Sequence, residues 1–346
     1  MQRNEERDRA RKLPCSWSVN SRSIRSPGAA VWLRVLGIAV LVLAVPLDAY
    51  GKACRPKRPL PAIVVTTMGP CNFDPDSFSF TGDPAQQAAC LVRPVARWAK
   101  LGPTLPNLPP VFADRIGRAS DLPGRTALAA LIAELHLDDR LGEGLLDPIS
   151  RANDNDPLAP AAKYLVIHDT SGPKLRGSWP ADMDEDRKIN NLGRFHCSDS
   201  FEIAHVIVNR SGDLYVGHDL SVPWRSTKFE RALNFGTSLK GLFLHVELIQ
   251  PRRGAPGHRR NDIAAPTPGF TAVQYDRLAL VYTLASLRAG QWLIPAFHAV
   301  IDSDIRGGHD DPQNFDLDAF AYSLEMLLDR LSRTEEPGVL LTPRAE

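Results

Sequence analysis

The 346-residue chain lacks a charge excess of either sign, with 41 Lys+Arg against 40 Asp+Glu and a formal net charge of +1. A nucleic-acid binder driven by phosphate neutralisation would be basic overall or visibly striped, so that class is excluded. Past residue 47 there is no long hydrophobic run, which excludes a protein with several membrane spans. Aromatic residues are sparse at 7%, yet hydrophobic residues reach 43%, more than a disordered chain carries. Internal repeats and low-complexity tracts are absent as well. A globular protein of one large or two modest domains remains.

The N-terminus carries the pattern of a targeting segment. Basic residues are scattered from Arg3 to Arg34, a 13-residue apolar run follows from Val35 to Leu47, and a small-residue exit ends at Ala53. Residues 1–53 therefore read as a signal peptide or, uncleaved, as an N-terminal membrane anchor. Either places the rest of the chain in the periplasm or outside the cell. Leaving out residues 1–53, with 9 of the Lys+Arg and 4 of the Asp+Glu, gives 32 against 36 and a formal charge of −4. Four cysteines remain (Cys54, Cys71, Cys90 and Cys197), an even number that suits an oxidising compartment; three pairings are open.

From Arg55 to Pro110 there are 11 prolines in 56 residues. Residues 54–160 thus read as a Pro-rich, wrapping extension with short helices, expected over 84–100 and 125–137. The polar run at 151–160 marks a boundary. Beyond it strands and helices alternate: strand 164–167 closing at His168, a hairpin 204–208/214–216, strand 242–249, helix 271–288 with a Thr271/Gln274 capping box, strand 294–301 and helix 316–333. That order predicts an α/β fold with a central mixed sheet flanked by helices over 161–333, and a flexible tail over 334–346.

Chemistry concentrates at His168, at a strand exit; at His298, after a helix; and in the loop GGHDDP around Asp311. Two imidazoles and a carboxylate with one position left open make a catalytic zinc site. Any one of these histidines alone reads rather as a hydrogen-bonded, half-buried side chain.

The segments YLVIHDTSG, AHVIVNRSGDLYVGHDL, LFLHVELI and HAVIDSDIRGGHDDPQNFD resemble, in order, those of the zinc-dependent N-acetylmuramoyl-L-alanine amidases of type 2. That family includes peptidoglycan recognition proteins and small phage lysozymes of amidase type. The resemblance covers residues 161–333 and implies His168, His298 and Asp311 as ligands of Zn²⁺ and Glu247 as acid/base. It implies His309 as the oxyanion-supporting group where the family usually has Lys. The interval from His298 to Asp311 is longer than in compact members, which leaves Asp310 or His309 open as the third ligand. An imidazole in place of Lys titrates near neutral pH, so its support is expected to fade as pH rises.

The implied activity is hydrolysis of the amide between N-acetylmuramic acid and L-alanine, by a monomer whose partner is peptidoglycan or its muropeptides. The alternative is a non-catalytic peptidoglycan-binding module of the same fold. Arg194, Arg210 and Arg225 are candidates to rim the groove toward stem-peptide carboxylates. His205 reads as structural. His245 shares a strand face with Glu247 and reads either as an orienting group or as packing.

Overall fold

The computed structural model describes residues 71–335 except 197–202, 233–237, 255–262 and 304. The expected signal segment, Cys54, Cys197, His258 and the tail from 336 onward lie outside the described residues. Among the described residues no helix is long and apolar enough to cross a membrane.

Five strands form the central sheet: β1 (Tyr164–Asp169), β2 (Val206–Val208), β3 (Leu214–Val216), β4 (Phe243–Leu248) and β5 (Ile294–Phe297). Their spatial order is β5-β1-β4-β2-β3, parallel except for the β2–β3 hairpin at one edge. β1 is buried along its whole length, as a parallel strand covered on both faces must be. Helices α1 (Pro84–Leu91), α2 (Arg125–Glu134), α3 (Ala272–Ala289), α4 (His298–Ile301) and α5 (Leu317–Glu335) complete the frame. The capping box of α3 is present, with Thr271 accepting from Gln274 N, and Gly290 ends the helix in the left-handed region. The protein is therefore a mixed α/β fold with a five-stranded mixed sheet flanked by helices.

Two expectations change. Helix 84–100 stops at Leu91, because Pro94 disfavours helical backbone at Arg93; the chain instead makes a two-stranded turn, and Trp98 is exposed at 66%. Strand 294–301 stops at Phe297, and His298 opens the helical turn α4. The run 151–160 is stitched inward: Asn153 N and Asp154 N donate to Ser238 O and Lys240 O, and Ala152 N donates to Pro160 O. Asn153, Asp154 and Asn155 take positive φ there, which Asn and Asp tolerate better than most residues.

The described part of the Pro-rich extension packs into the same hydrophobic core as the sheet. Phe73 lies edge-on to Phe80 and Phe229, and Phe80 lies edge-on to Tyr164 and stacks on Phe229, at centroid separations of 5.1–5.9 Å. Tyr164 Oη donates to Gln87 Oε1 on α1 and accepts from Phe80 N. A disulfide joins Cys71 to Cys90, one of the pairings the sequence left open.

Two glycines with positive φ differ in what surrounds them. A Cβ at Gly241 would lie 2.0 Å from the Arg151 carbonyl oxygen, whereas one at Gly290 would meet nothing within 4 Å. Gly290→Ala is expected to cost about 1 kcal/mol, the price of a left-handed Ala. Gly241→Ala is expected to cost at least ~2–3 kcal/mol, because backbone must also move. Denaturant midpoints of the two variants check this ordering; equal losses would refute it.

Candidate metal centre

In parallel strands the carboxyl ends align along one sheet edge, and sites are built there. β1 and β4 pair so that His168 stands opposite Glu247 and Val166 opposite His245. The alternation of side chains puts His245 and Glu247 on one face of β4. In β5, Phe297 pairs with Ile167, so His298 follows directly at the level of His168. The loop after α4 then returns, anchored by Ala299 N donating to Asp311 O.

These three chain segments bring His168, His298 and Asp311 together, all buried, as a group able to hold a metal ion. His168 Nδ1 lies 2.9 Å from His298 Nδ1 and 3.7 Å from Asp311 Oδ2, and His298 Nδ1 lies 3.0 Å from Asp311 Oδ2. Tetrahedral zinc with bonds near 2.1 Å wants ligand atoms about 3.4 Å apart, a value these separations bracket. Each imidazole is also tied down at its other nitrogen, as metal-binding histidines are. His298 Nε2 is 3.0 Å from Asp302 Oδ2, and His168 Nε2 is 3.1 Å from His245 Nδ1. The residues fit a zinc-like ion on both counts.

Of the alternatives for the third position, Asp311 is the one inside the cluster. Asp310 is engaged instead by the Gln313 side-chain amide. His309 is half exposed, stacks on His298 with ring centroids 4.4 Å apart, and has Nδ1 3.4 Å from Asp311 Oδ1.

Burial pushes the His168 pKa well down, and the neighbouring His298 and His245 push it the same way, so this ring is neutral. Burial also opposes charge on His298, but Asp311 and Asp302 outweigh it and hold the His298 pKa well above the usual imidazole value. Asp311 is the reverse case: burial favours its neutral form, yet His298 keeps its pKa well below the carboxylate range. The metal-free centre is thus a buried imidazolium between two carboxylates. Behind it, the Asp169 carboxylate accepts from Arg252 Nη2 at 2.6 Å and from Gln313 N at 3.2 Å. Asp169 N in turn donates to Asp311 Oδ2 at 3.3 Å.

The centre lies in a cavity of about 430 Å³ whose lining includes Glu247, His298, His309 and Asp311, with Lys174 and Arg194 contributing cationic groups. Apolar lining comes from Ile189, Phe195, Ile203 and Ile249.

Of the three arginines singled out in the sequence, only Arg194 lines this cavity. Arg210 is buried, donating to Asp184 at 2.6 Å and to Gly269 O at 3.0 Å. Arg225 lines a separate surface pocket with Trp224, Arg231 and Lys240. Sequence reasoning missed Lys174 and also Asp302. The His-x-x-x-Asp spacing would have exposed Asp302 had a helix been expected there.

No family model matches the chain, and no curated protein or solved structure matches it either.

Proposed function

We propose that this chain is a zinc-dependent amidase that hydrolyses the amide joining N-acetylmuramic acid to L-alanine in peptidoglycan. The observation that carries the hydrolytic reading is the convergence of His168, His298 and Asp311 in one buried group, with Glu247 lining the same cavity as His298 and Asp311. The substrate follows from the four ordered segments that resemble type 2 amidases.

A zinc ion held by His168, His298 and Asp311 would polarise the scissile carbonyl and acidify a water. Glu247, across the β1–β4 register from His168, takes the proton of the attacking water and delivers it to the departing amine of L-alanine. His309, stacked over His298 at the cavity wall, donates to the carbonyl oxygen as charge develops there. Lys174 and Arg194 suit the carboxylates of a stem peptide. The N-terminal apolar segment and the Cys71–Cys90 bond both suit work outside the cytoplasm.

The test incubates zinc-loaded protein with sacculi and with soluble muropeptides, followed by mass spectrometry. Stem peptides with a free N-terminal alanine are expected, lost on chelation with EDTA and restored by zinc. Zinc-loaded protein that retains cell wall and releases nothing would be the non-catalytic binding module instead.

A further inference from the structure

Two buried groups near the centre have no part in the chemistry above. His245 and Glu230 are both fully buried, and the Glu230 carboxylate lies 3.3 Å from His245 Nε2. We infer that they are positioning residues: Glu230, acting through His245, sets the tautomer of His168 and so leaves Nδ1 of His168 as the nitrogen that binds metal. The inference rests on the metal-centre reading.

Along this path each donor must meet an acceptor. For His168 Nδ1 to be a ligand it must carry a lone pair, which puts the ring proton on Nε2. That proton points at His245 Nδ1, 3.1 Å away, which must then accept. A neutral His245 that accepts at Nδ1 carries its own proton on Nε2, the nitrogen 3.3 Å from Glu230 Oε2. Glu230 Oε2 is an established acceptor, receiving Thr227 N at 3.0 Å, Thr227 Oγ1 at 2.9 Å and Ser226 N at 3.2 Å.

The opposite tautomers fail at both ends. They would set the His245 Nε2 lone pair against a carboxylate oxygen, and would put a proton on the ligating nitrogen of His168. His205 holds the His245 ring without dictating its proton. It accepts from His245 N at 3.0 Å, sits 3.0 Å from Val222 O through Nε2, and lies nearly parallel to the His245 ring at 5.6 Å.

His298 reaches the same end by a shorter route, with Nε2 directly on Asp302. Asp302 accepts from Phe229 N at 2.9 Å and Lys228 N at 3.2 Å. One turn, 226–230, therefore anchors both carboxylates that orient the ligating imidazoles. Ser226 on that turn also lines the cavity.

The test compares zinc affinity, by competition with a chromogenic chelator, in the full chain and in two variants. Glu230→Leu is expected to bind zinc about 10- to 100-fold more weakly, the loss typical of a removed partner behind a ligating histidine. Glu230→Gln keeps an oxygen where Thr227 and Ser226 donate and His245 Nε2 lies 3.3 Å away, and should stay within about threefold of the parent. A Glu230→Leu variant with parental affinity, or a Glu230→Gln variant as weak as it, overturns the relay.

Should Glu230→Leu not fold, ring ¹⁵N shifts of the zinc-loaded parent decide. Protons on Nε2 of both His168 and His245 support the relay, and a proton on Nδ1 of His245 overturns it. A parent chain that binds no zinc at all would refute the metal centre itself, an outcome distinct from either.

Discussion

Glu247→Gln is expected to lower turnover by about three orders of magnitude while zinc content stays at the parental level, within the range a general acid/base contributes. The side chains are nearly isosteric, so the cavity and the strand register are kept, but an amide can neither take the water proton nor hand it to the amine. Glu247 stands across from His168 without belonging to the ligand trio, which is why metal occupancy and activity should separate. Paired measurement of kcat and of zinc per chain checks this. Turnover within tenfold of the parent would place the base elsewhere, and His309, on the same cavity wall, would be the next group to replace.

Zinc affinity is expected to rise with pH, by roughly tenfold per unit, wherever His298 is protonated in the metal-free protein. The cause is the buried imidazolium: burial disfavours it, but Asp311 and Asp302 hold its pKa well above the usual value. The Nδ1 proton between His298 and Asp311 occupies the position a metal must take, so binding expels it.

Without metal, the signs run differently. The raised pKa of His298 contributes stability that is full below the unfolded imidazole value of about 6.5 and is lost as pH climbs through the folded value. The lowered pKa of Asp311 contributes stability that is present above about 4 and is lost as pH falls through its folded value. The metal-free protein thus draws most from this pair between about pH 4 and 6.5, while stabilisation by zinc grows above that window. Competition titrations across neutral pH, with calorimetry in two buffers of different ionisation enthalpy, should report about one proton released per ion. An affinity that does not change with pH would show that His298 is neutral beforehand.

The sequence made the candidate site legible because its residues sit where strands end, and strand ends are marked by apolar runs meeting polar residues. His168 at the close of YLVIHD and Glu247 in FLHVEL are such cases. The groups behind them were hidden for different reasons. Asp302 orients His298 only because residues 298–301 are helical, and HAVI, apolar and partly β-branched, reads as the continuation of a strand. In a strand, Asp302 would stand about 13 Å from His298 instead of beside it.

The choice of Asp311 over Asp310 depends on Gln313 and Ala299, whose bonds form only once the loop has folded back. Glu230 and His245 are fifteen positions apart on separate elements, a pairing no periodicity announces. Arg210 looked like a groove cation because nothing in its own neighbourhood reveals that Asp184, twenty-six residues earlier, will claim it.

The packing of the Pro-rich segment bears on how the chain reaches its native state. Phe80 N meets the Tyr164 hydroxyl, and Gly117 N and Trp292 N exchange hydrogen bonds with Trp292 O and Arg118 O. The indole of Trp292 donates to Ser120 O across 172 positions. Residues 117–120 therefore find these partners only when nearly the last strand is available. Contacts of such sequence separation cost loop-closure entropy before they return any energy, which slows the search. Until Trp292 is in place, Gly117, Arg118 and Ser120 lack these partners, and the incomplete chain is most exposed to aggregation during that interval.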